Sequence, residues 1–159
     1  MKLLLVDESK EKKFILCVAE IDHEAAPAAR RILNKSRMKG QSDIHFITES
    51  PSRKRQILKN FSQVEFKIKN FSVEGFRENQ ARTLCLEALI ENLDPNMTYG
   101  LIIEQDDYKI QSDKKTIQNA LLRKGMNLQV EYRHEKSRSE CLLWIPDSIA
   151  WCSAKGGVW

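Results

Sequence analysis

Three acidic residues, far apart in the sequence, have the type and setting needed to do chemistry together. Asp7 follows the apolar run 3–6, and Glu104 follows the apolar run 101–103. Asp147 interrupts an otherwise apolar segment near the end of the chain. A carboxylate at the end of a buried strand opens into the cleft beside an α/β sheet, which is where such sheets place ligands. These three residues are therefore the candidate site.

The chemistry that suits three such acids is metal-assisted hydrolysis. Carboxylates gathered at one sheet edge repel one another, and a divalent cation is the main agent that keeps them charged. Oxygen ligands favour Mg²⁺ or Mn²⁺, and two such ions can activate a water molecule for phosphodiester cleavage. The histidines at positions 23, 45 and 134 are scattered, and the sequence shows no competing arrangement of a nucleophile with a base.

Each acid also has a purely structural interpretation. Asp7 could only end its strand and begin a turn. Asp147 could cap a helix or form a salt bridge, because an unpaired charge on an apolar helix needs a partner. The identity of the central acid is open as well, since Asp106 and Asp107 closely follow Glu104.

The spacing of apolar residues predicts a mixed α/β protein that positions these acids. Strands are expected at residues 2–9, 14–21, 43–47, 64–69, 98–104 and 127–133. Helices are expected at residues 23–39, from Ser50-Pro51 onward, and at 76–93, 112–124 and 139–153. The short turn after the first strand predicts an antiparallel hairpin. We expect a single domain over residues 1–159, since no stretch of linker composition divides the chain.

Composition restricts the class of protein. The chain has 159 residues, of which 42% are hydrophobic and 30% are charged, as in ordinary soluble domains. We expect no signal peptide and no membrane partner, because no apolar run is long enough to span a bilayer. Four widely separated cysteines predict buried reduced thiols and a cytoplasmic location. The net charge of +4 is compatible with a nucleic-acid partner.

Basic residues close in sequence to the acids are candidate phosphate contacts. Lys12 and Lys13 lie in the turn that follows the first strand. Lys136 and Arg138 come shortly before the last apolar segment. Lysine and arginine supply many of the contacts that proteins make to nucleic-acid phosphates. The alternative is that these four are ordinary solvated charges.

These motifs together resemble an uncharacterised branch of the ribonuclease H-like superfamily, whose members begin with an apolar strand ending in Asp-Glu-Ser-Gly. Asp7-Glu8-Ser9 resembles that opening, and residues 43–46 resemble the branch's short segment with a histidine before an apolar residue. Residues 102–104 occupy the place of the second acidic strand. The most specific likeness is the segment 137–154, which resembles the final helix and its aspartate.

The resemblance implies a ribonuclease H-like fold, in which a mixed sheet with antiparallel first strands is flanked by helices. It implies that Asp7, Glu104 and Asp147 hold Mg²⁺ or Mn²⁺ in a nuclease acting on RNA or DNA. A non-catalytic member, kept as a nucleic-acid-binding or protein-interaction module, is the alternative. Two features depart from the pattern or extend it: Lys10 stands where the branch has glycine, and Glu49 is a candidate fourth ligand.

Overall fold

A five-stranded mixed sheet forms the centre of the computed structural model, which describes residues 1–157 and 159. The strands are β1 (Lys2–Ser9), β2 (Phe14–Asp22), β3 (Lys67–Val73), β4 (Tyr99–Glu104) and β5 (Val130–Glu135). Their order across the sheet is β3-β2-β1-β4-β5. β1 pairs antiparallel with β2 and parallel with β4, which confirms the expected mixed sheet with antiparallel first strands.

Helices cover both faces of this sheet. They are α1 (Ala26–Asn34), α2 (Pro51–Phe61), α3 (Glu78–Glu91), α4 (Ile110–Lys124) and α5 (Trp144–Lys155), with short 3-10 turns at His23–Ala25, Phe46–Thr48 and Cys141–Leu143. The predicted start of α2 is confirmed, because the Ser50 hydroxyl accepts the N–H of Arg53 at 3.2 Å. None of the helices formed by the described residues has the length and apolar character to cross a bilayer.

Alternation along β1 decides which layer each acid faces. Leu4 and Val6 pack into the core beneath α3 and α4, whereas Leu3 and Leu5 pack into the core beneath α1, α2 and α5. Successive side chains of a strand point to opposite faces. Asp7 therefore belongs to the α5 side of the sheet, and the next residue belongs to the α3 side.

Three predicted strands differ from the structure: the strand at 43–47 is absent, and β3 and β5 each begin three residues later than predicted, β5 at Val130 instead of residue 127. Residues 43–47 form no strand; a loop leads instead into the 3-10 turn at Phe46–Thr48. Ile44 and Phe46 are buried between exposed neighbours, and this alternation imitates a strand although no neighbouring strand pairs with it. β3 begins at Lys67 rather than at residue 64, because its pairing with β2 runs from Lys67 to Val73.

The cysteines agree with the prediction of reduced thiols. All four are free, and three of them are buried. Cys141 is partly exposed. Burial raises the pKa of Cys17 to about 12, so this thiol stays protonated at neutral pH.

Candidate active site

The three predicted site acids converge on one edge of the sheet. Val6 of β1 lies beside Ile103 of β4 in parallel register, so Asp7 and Glu104 follow on adjacent strands. Asp147 lies in the first turn of α5, which packs against β1. The charges of Asp147 and Glu104 act on Asp7, and that of Asp147 also acts on Glu104. The structure therefore brings together residues that are separated by as many as 140 positions in the sequence.

The protein stabilises the charges of these acids poorly. Burial raises the pKa of Asp7 well above its usual range, and the charges of Asp147 and Glu104 raise it further. Burial and then the charge of Asp147 raise the pKa of Glu104 to about 7. Burial also raises the pKa of Asp147. A site of this kind favours either a bound proton or a bound cation.

Main-chain N–H groups fix the orientation of each carboxylate. Asp7 Oδ1 accepts the N–H of the following residue at 2.7 Å. Asp147 Oδ2 accepts the N–H of Phe46 at 3.2 Å, and Glu104 accepts the N–H of Ser137. The side chains of Asp7 and Asp147 are close enough for each to influence the pKa of the other. The loops around the sheet edge thus hold the acids in place.

Basic partners distinguish other acids of the molecule from the site acids. Glu140 pairs with Arg30 at 2.8 Å, and Asp113 pairs with Arg82 at 2.7 Å. In the part of the chain that the structure describes, no lysine or arginine forms an ion pair with any of the three site acids. Burial and the repulsion between acids therefore dominate the electrostatics of this edge.

The three carboxylates are of the ligand type that suits a divalent cation, but they are not arranged as a complete coordination site. Carboxylate oxygens are the ligands that Mg²⁺ and Mn²⁺ prefer. Among residues 1–157 and 159, however, no three His, Cys, Asp or Glu side chains are arranged so that they could hold a metal ion in this conformation.

Two grooves reach the acids from opposite sides. The acid groove, of about 390 Å³, lies at the strand ends and the β4–α4 turn and is lined by Asp7, Glu8, Arg82, Glu104, Asp106 and Asp107 among others. The hairpin groove, of about 560 Å³, lies between the β1–β2 hairpin and α5 and is lined by Asp7, Glu8, Lys10, Ile47, Asp147 and Trp151 among others. Asp7 lines both grooves.

Asp106 and Asp107, the alternatives to Glu104 as the central acid, accept hydrogen bonds within their own turn. Asp106 Oδ1 accepts the N–H of Tyr108 at 3.1 Å, and Asp107 Oδ1 accepts an amide N–H of Gln105 at 2.7 Å. Both line the acid groove. Glu104 differs because its negative charge acts directly on the pKa of Asp7. Glu104 as the central acid stays a prediction, and its coupling to Asp7 is the observation that separates it from Asp106 and Asp107.

Glu49 does not join the cluster. It accepts a hydrogen bond from Gln41 at 2.7 Å and pairs with Arg53 at 3.6 Å. Its carboxylate is thus satisfied by the loop and α2, and the expectation that it is a fourth ligand is wrong for this conformation.

Sequence reasoning missed Asp43, which approaches the site from the loop before α2. Its charge raises the pKa of both Glu104 and Asp147. His45 Nε2 lies 3.2 Å from Asp43 Oδ2, and the Ser137 hydroxyl donates to the same oxygen at 2.7 Å. The signal in the sequence was the acid in segment 43–46, but a strand assignment gave no reason to bring it near the other acids.

The four predicted phosphate contacts lie on exposed loops. Lys12 and Lys13 are exposed at the tip of the β1–β2 hairpin. Lys136 and Arg138 are exposed on either side of Ser137, whose N–H donates to the central acid. None of the four has an acidic partner within the described residues. Their role in binding phosphate stays a prediction.

The raised pKa values predict an unusual dependence of stability on pH. Acids with a folded pKa above the unfolded value near 4 bind protons on folding, so the metal-free protein should gain stability as the pH falls from about 8 to about 5. Below pH 4 the trend should reverse, because the pKa of Glu78 is lowered to about 2 and that of Asp113 is also lowered. Urea unfolding from pH 3 to 9 in chelator measures this, and a steady rise in the free energy of unfolding from pH 5 to 8 would contradict it.

Comparison with known proteins bears on the fold. No protein-family model and no curated protein matches the sequence. The structure is similar to ribonuclease H2 from Pyrococcus horikoshii OT3, with a TM-score of 0.63 and 13% identity over 98% of this chain and 72% of that chain. It is also similar to a chain of the PCNA:RNase HII complex from Archaeoglobus fulgidus, with a TM-score of 0.61 and 14% identity over 96% and 71% of the two chains. The protein has a ribonuclease H-like α/β fold.

Proposed function

We propose that this protein is a nuclease that hydrolyses phosphodiester bonds in RNA or DNA, with Mg²⁺ or Mn²⁺ held by Asp7, Glu104 and Asp147. One observation carries the proposal: three carboxylates from three separate elements share a sheet edge, and within the described residues none of them forms an ion pair with a lysine or arginine, in a fold similar to that of known ribonucleases. A bound ion would supply Lewis-acid chemistry, which makes water a stronger nucleophile and stabilises the leaving oxygen.

The residues of this chain have separate tasks in that scheme. Asp7 and Glu104 lie on neighbouring central strands, so their backbones are held rigidly. Asp147 is tied to Phe46 through a main-chain hydrogen bond, which fixes the third side of the site. Lys136, next to the loop residue that donates to Glu104, would hold a substrate phosphate near the acids. Further phosphates along the bound nucleic-acid strand would be contacted by Lys12, Lys13 and Arg138.

We also propose membership in the uncharacterised ribonuclease H-like branch, on the strength of Asp7-Glu8-Ser9 and segment 137–154. A lysine at position 10 is compatible with this, because the turn does not require the backbone conformation that favours glycine. The lysine side chain instead pairs with two acids. Lys10 Nζ lies 3.0 Å from Glu8 and 2.7 Å from Glu78, and no residue other than glycine has a positive φ in the described chain. A cytoplasmic location follows as a proposal from the four free cysteines.

Cleavage of end-labelled nucleic acids tests the proposed function. Single- and double-stranded RNA and DNA should be incubated with the protein in Mg²⁺, in Mn²⁺ and in chelator. We expect cutting of at least one substrate that requires the metal and is lost in Asp147→Asn. Glu131→Gln is the matched control, because Glu131 is an exposed acid on β5 outside the site. Cutting that persists in chelator would contradict the proposal.

The second candidate is a non-catalytic nucleic-acid-binding or protein-interaction module with the same fold. The observation that favours it is the absence, among the described residues, of a side-chain group already arranged to hold a metal. Such a module would bind oligonucleotides through the exposed lysines without a requirement for metal. Binding in chelator with no cleavage of any substrate in Mg²⁺ or Mn²⁺ would favour this candidate over the nuclease.

A further inference from the structure

A third groove continues from the acid groove and differs from it in chemistry. This aromatic groove, of about 460 Å³, lies between the first half of α3 and the turn that precedes α4. Its principal lining residues are Phe76, Asn79, Gln80, Thr83, Tyr108 and Ser112. It shares Arg82 and Tyr108 with the acid groove, so the two grooves adjoin.

Exposed aromatic side chains are concentrated in this groove. Tyr108 is 97% exposed and Phe76 is 53% exposed. No other phenylalanine, tyrosine or tryptophan in the described chain is exposed to this degree. An aromatic ring left in water is a platform on which a nucleobase can stack, and every base offers a face for that contact. The two platforms adjoin the candidate active site rather than lying elsewhere on the surface.

Amide groups beside the aromatic rings are free to meet polar base edges. The side-chain oxygen of Asn79 accepts a hydrogen bond from Lys109 at 2.8 Å, and that of Gln80 accepts one from the N–H of Arg77 at 3.4 Å. Among the described residues, the side-chain NH₂ groups of Asn79 and Gln80 have no acceptor. Such donors pair with the oxygen and nitrogen acceptors that unpaired bases expose.

The aromatic groove differs in charge from the hairpin groove, which also leads away from the acids. The hairpin groove is lined by four carboxylates, those of Asp7, Glu8, Glu11 and Asp147, and by one lysine. The aromatic groove is lined by two cations and no carboxylate. These cations, Arg82 and Lys109, are already ion-paired, so the groove is close to neutral. A polyanion leaving the acids meets less repulsion here, and its attraction must come from the bases rather than the phosphates.

We propose that the aromatic groove binds unpaired bases of the substrate next to the cleaved phosphate, and that the substrate class is single-stranded RNA or DNA. Tyr108 and Phe76 are the stacking platforms, and the amides of Asn79 and Gln80 contact base edges. The position of these bases relative to the cut rests on the proposed nuclease function. The binding itself does not, because it requires no metal.

Fluorescence anisotropy in chelator tests this without cleavage. Labelled oligo-dT, oligo-rU and a blunt DNA duplex should be titrated with wild type, Tyr108→Ala, Phe76→Ala and Tyr108→Phe. Alanine should weaken single-strand binding by roughly 5- to 100-fold, the range for loss of one stacked base, whereas phenylalanine should retain it. The slope of affinity against salt should stay unchanged, because no phosphate contact is removed. Comparing oligo-dT with oligo-rU separates DNA from RNA as the source of the bases.

Leu128→Ala is the matched control, because Leu128 is 94% exposed and lies outside the groove. Wild-type affinity of both alanine variants for single strands would overturn the proposal, as would tighter binding of the duplex than of either single strand. Thermal melting of each variant excludes misfolding, which is not expected for residues so exposed.

Cleavage by the wild type is measured separately and tests the nuclease. If the wild type cuts nucleic acid but the aromatic variants bind normally, the groove proposal fails and the proposed function stands. If the wild type never cuts but the variants lose binding, the groove proposal stands and the nuclease fails.

Discussion

Asp7→Asn should abolish metal-dependent cleavage and also make the metal-free protein more stable. Even a group that only supports a metal ligand is worth about 10- to 100-fold, so loss of a ligand should lower kcat by at least about 10²- to 10³-fold. Stability should rise because burial raises the pKa of this carboxyl, which means that its ionised form opposes folding at neutral pH. Asparagine is neutral and has nearly the same size, so it removes the buried charge without opening a cavity.

The size of the stability gain is set by the buried charge. A gain of about 1 kcal/mol would raise Tm by roughly 2–4 °C in a domain of this size. In saturating Mn²⁺ the order should reverse, because a ligand that binds only the folded wild type stabilises it by mass action, by about 2.7 kcal/mol at 100 times Kd. Melting in chelator and in Mn²⁺ measures both effects.

Glu131→Gln again serves as the control that removes an acid without touching the site. It should melt and cleave like the wild type under both conditions. An Asp7→Asn variant that is less stable in chelator would show that the carboxylate has a stabilising structural role. A variant that still responds to Mn²⁺ as the wild type does would remove Asp7 from the metal site.

The sequence predicted the sheet well where two rules applied together. Apolar runs ending in acids located β1 and β4, and the short turn predicted the antiparallel pairing of β1 with β2. The rules failed at residues 43–47, where alternating burial does not come from a sheet. Phe46 packs edge-on against Trp151 at a centroid distance of 5.3 Å, a tertiary contact that no local pattern contains.

The convergence of the three acids was predictable because the face on which a strand residue lies and the point where a strand ends are local properties. Asp7 shares the parity of Leu3 and Leu5, and these residues face the layer that contains α5. Asp43 was not predictable, because it reaches the site from an irregular loop whose path depends on the packing of α1 and α2. The assignment of Glu49 as a ligand failed for the same reason, since the loop turns this residue toward Gln41.

A buried charge network was missed although its signals lie in the sequence. Asp113 precedes Ile117, Ala120 and Leu121 at helical spacing, so it belongs to the buried stripe of α4. Arg82 likewise occupies the buried stripe of α3, where it is 5% exposed. An acid and an arginine on the buried faces of two helices indicate that they form an ion pair. Assigning that pair requires knowledge that the two helices are neighbours.

Arg82→Ala should be the most destabilising of the substitutions considered. The Arg82 guanidinium donates to both oxygens of Asp113, at 2.8 and 2.7 Å, and to Glu8. Asp113 is 1% exposed and is also bonded to His134 at 3.0 Å. Removing the guanidinium leaves a buried carboxylate with a single partner, which costs about 3–5 kcal/mol. We expect Tm to fall by roughly 6–20 °C.

Two further variants distinguish this loss from a loss of packing. Arg82→Lys keeps the charge but cannot donate in fixed geometry to Asp113 and Glu8 together, so it should fall between wild type and alanine. Arg123→Ala removes an exposed pair with Glu87 and should cost at most about 1 kcal/mol. If Arg82→Ala costs no more than Arg123→Ala in urea unfolding, the network does not hold α3 to α4.

Arg82 also affects the candidate active site, because it contacts Glu8, the residue that follows Asp7 on β1. Glu8 follows Asp7 on β1 and points to the opposite layer, where Arg82 holds it. The residue that anchors α3 to α4 therefore also fixes the end of the strand that presents Asp7. In Arg82→Lys, which should remain folded, the Mn²⁺-dependent rise in Tm should shrink while oligonucleotide binding in chelator is retained. An unchanged Mn²⁺ response would show that the strand end is positioned without Arg82.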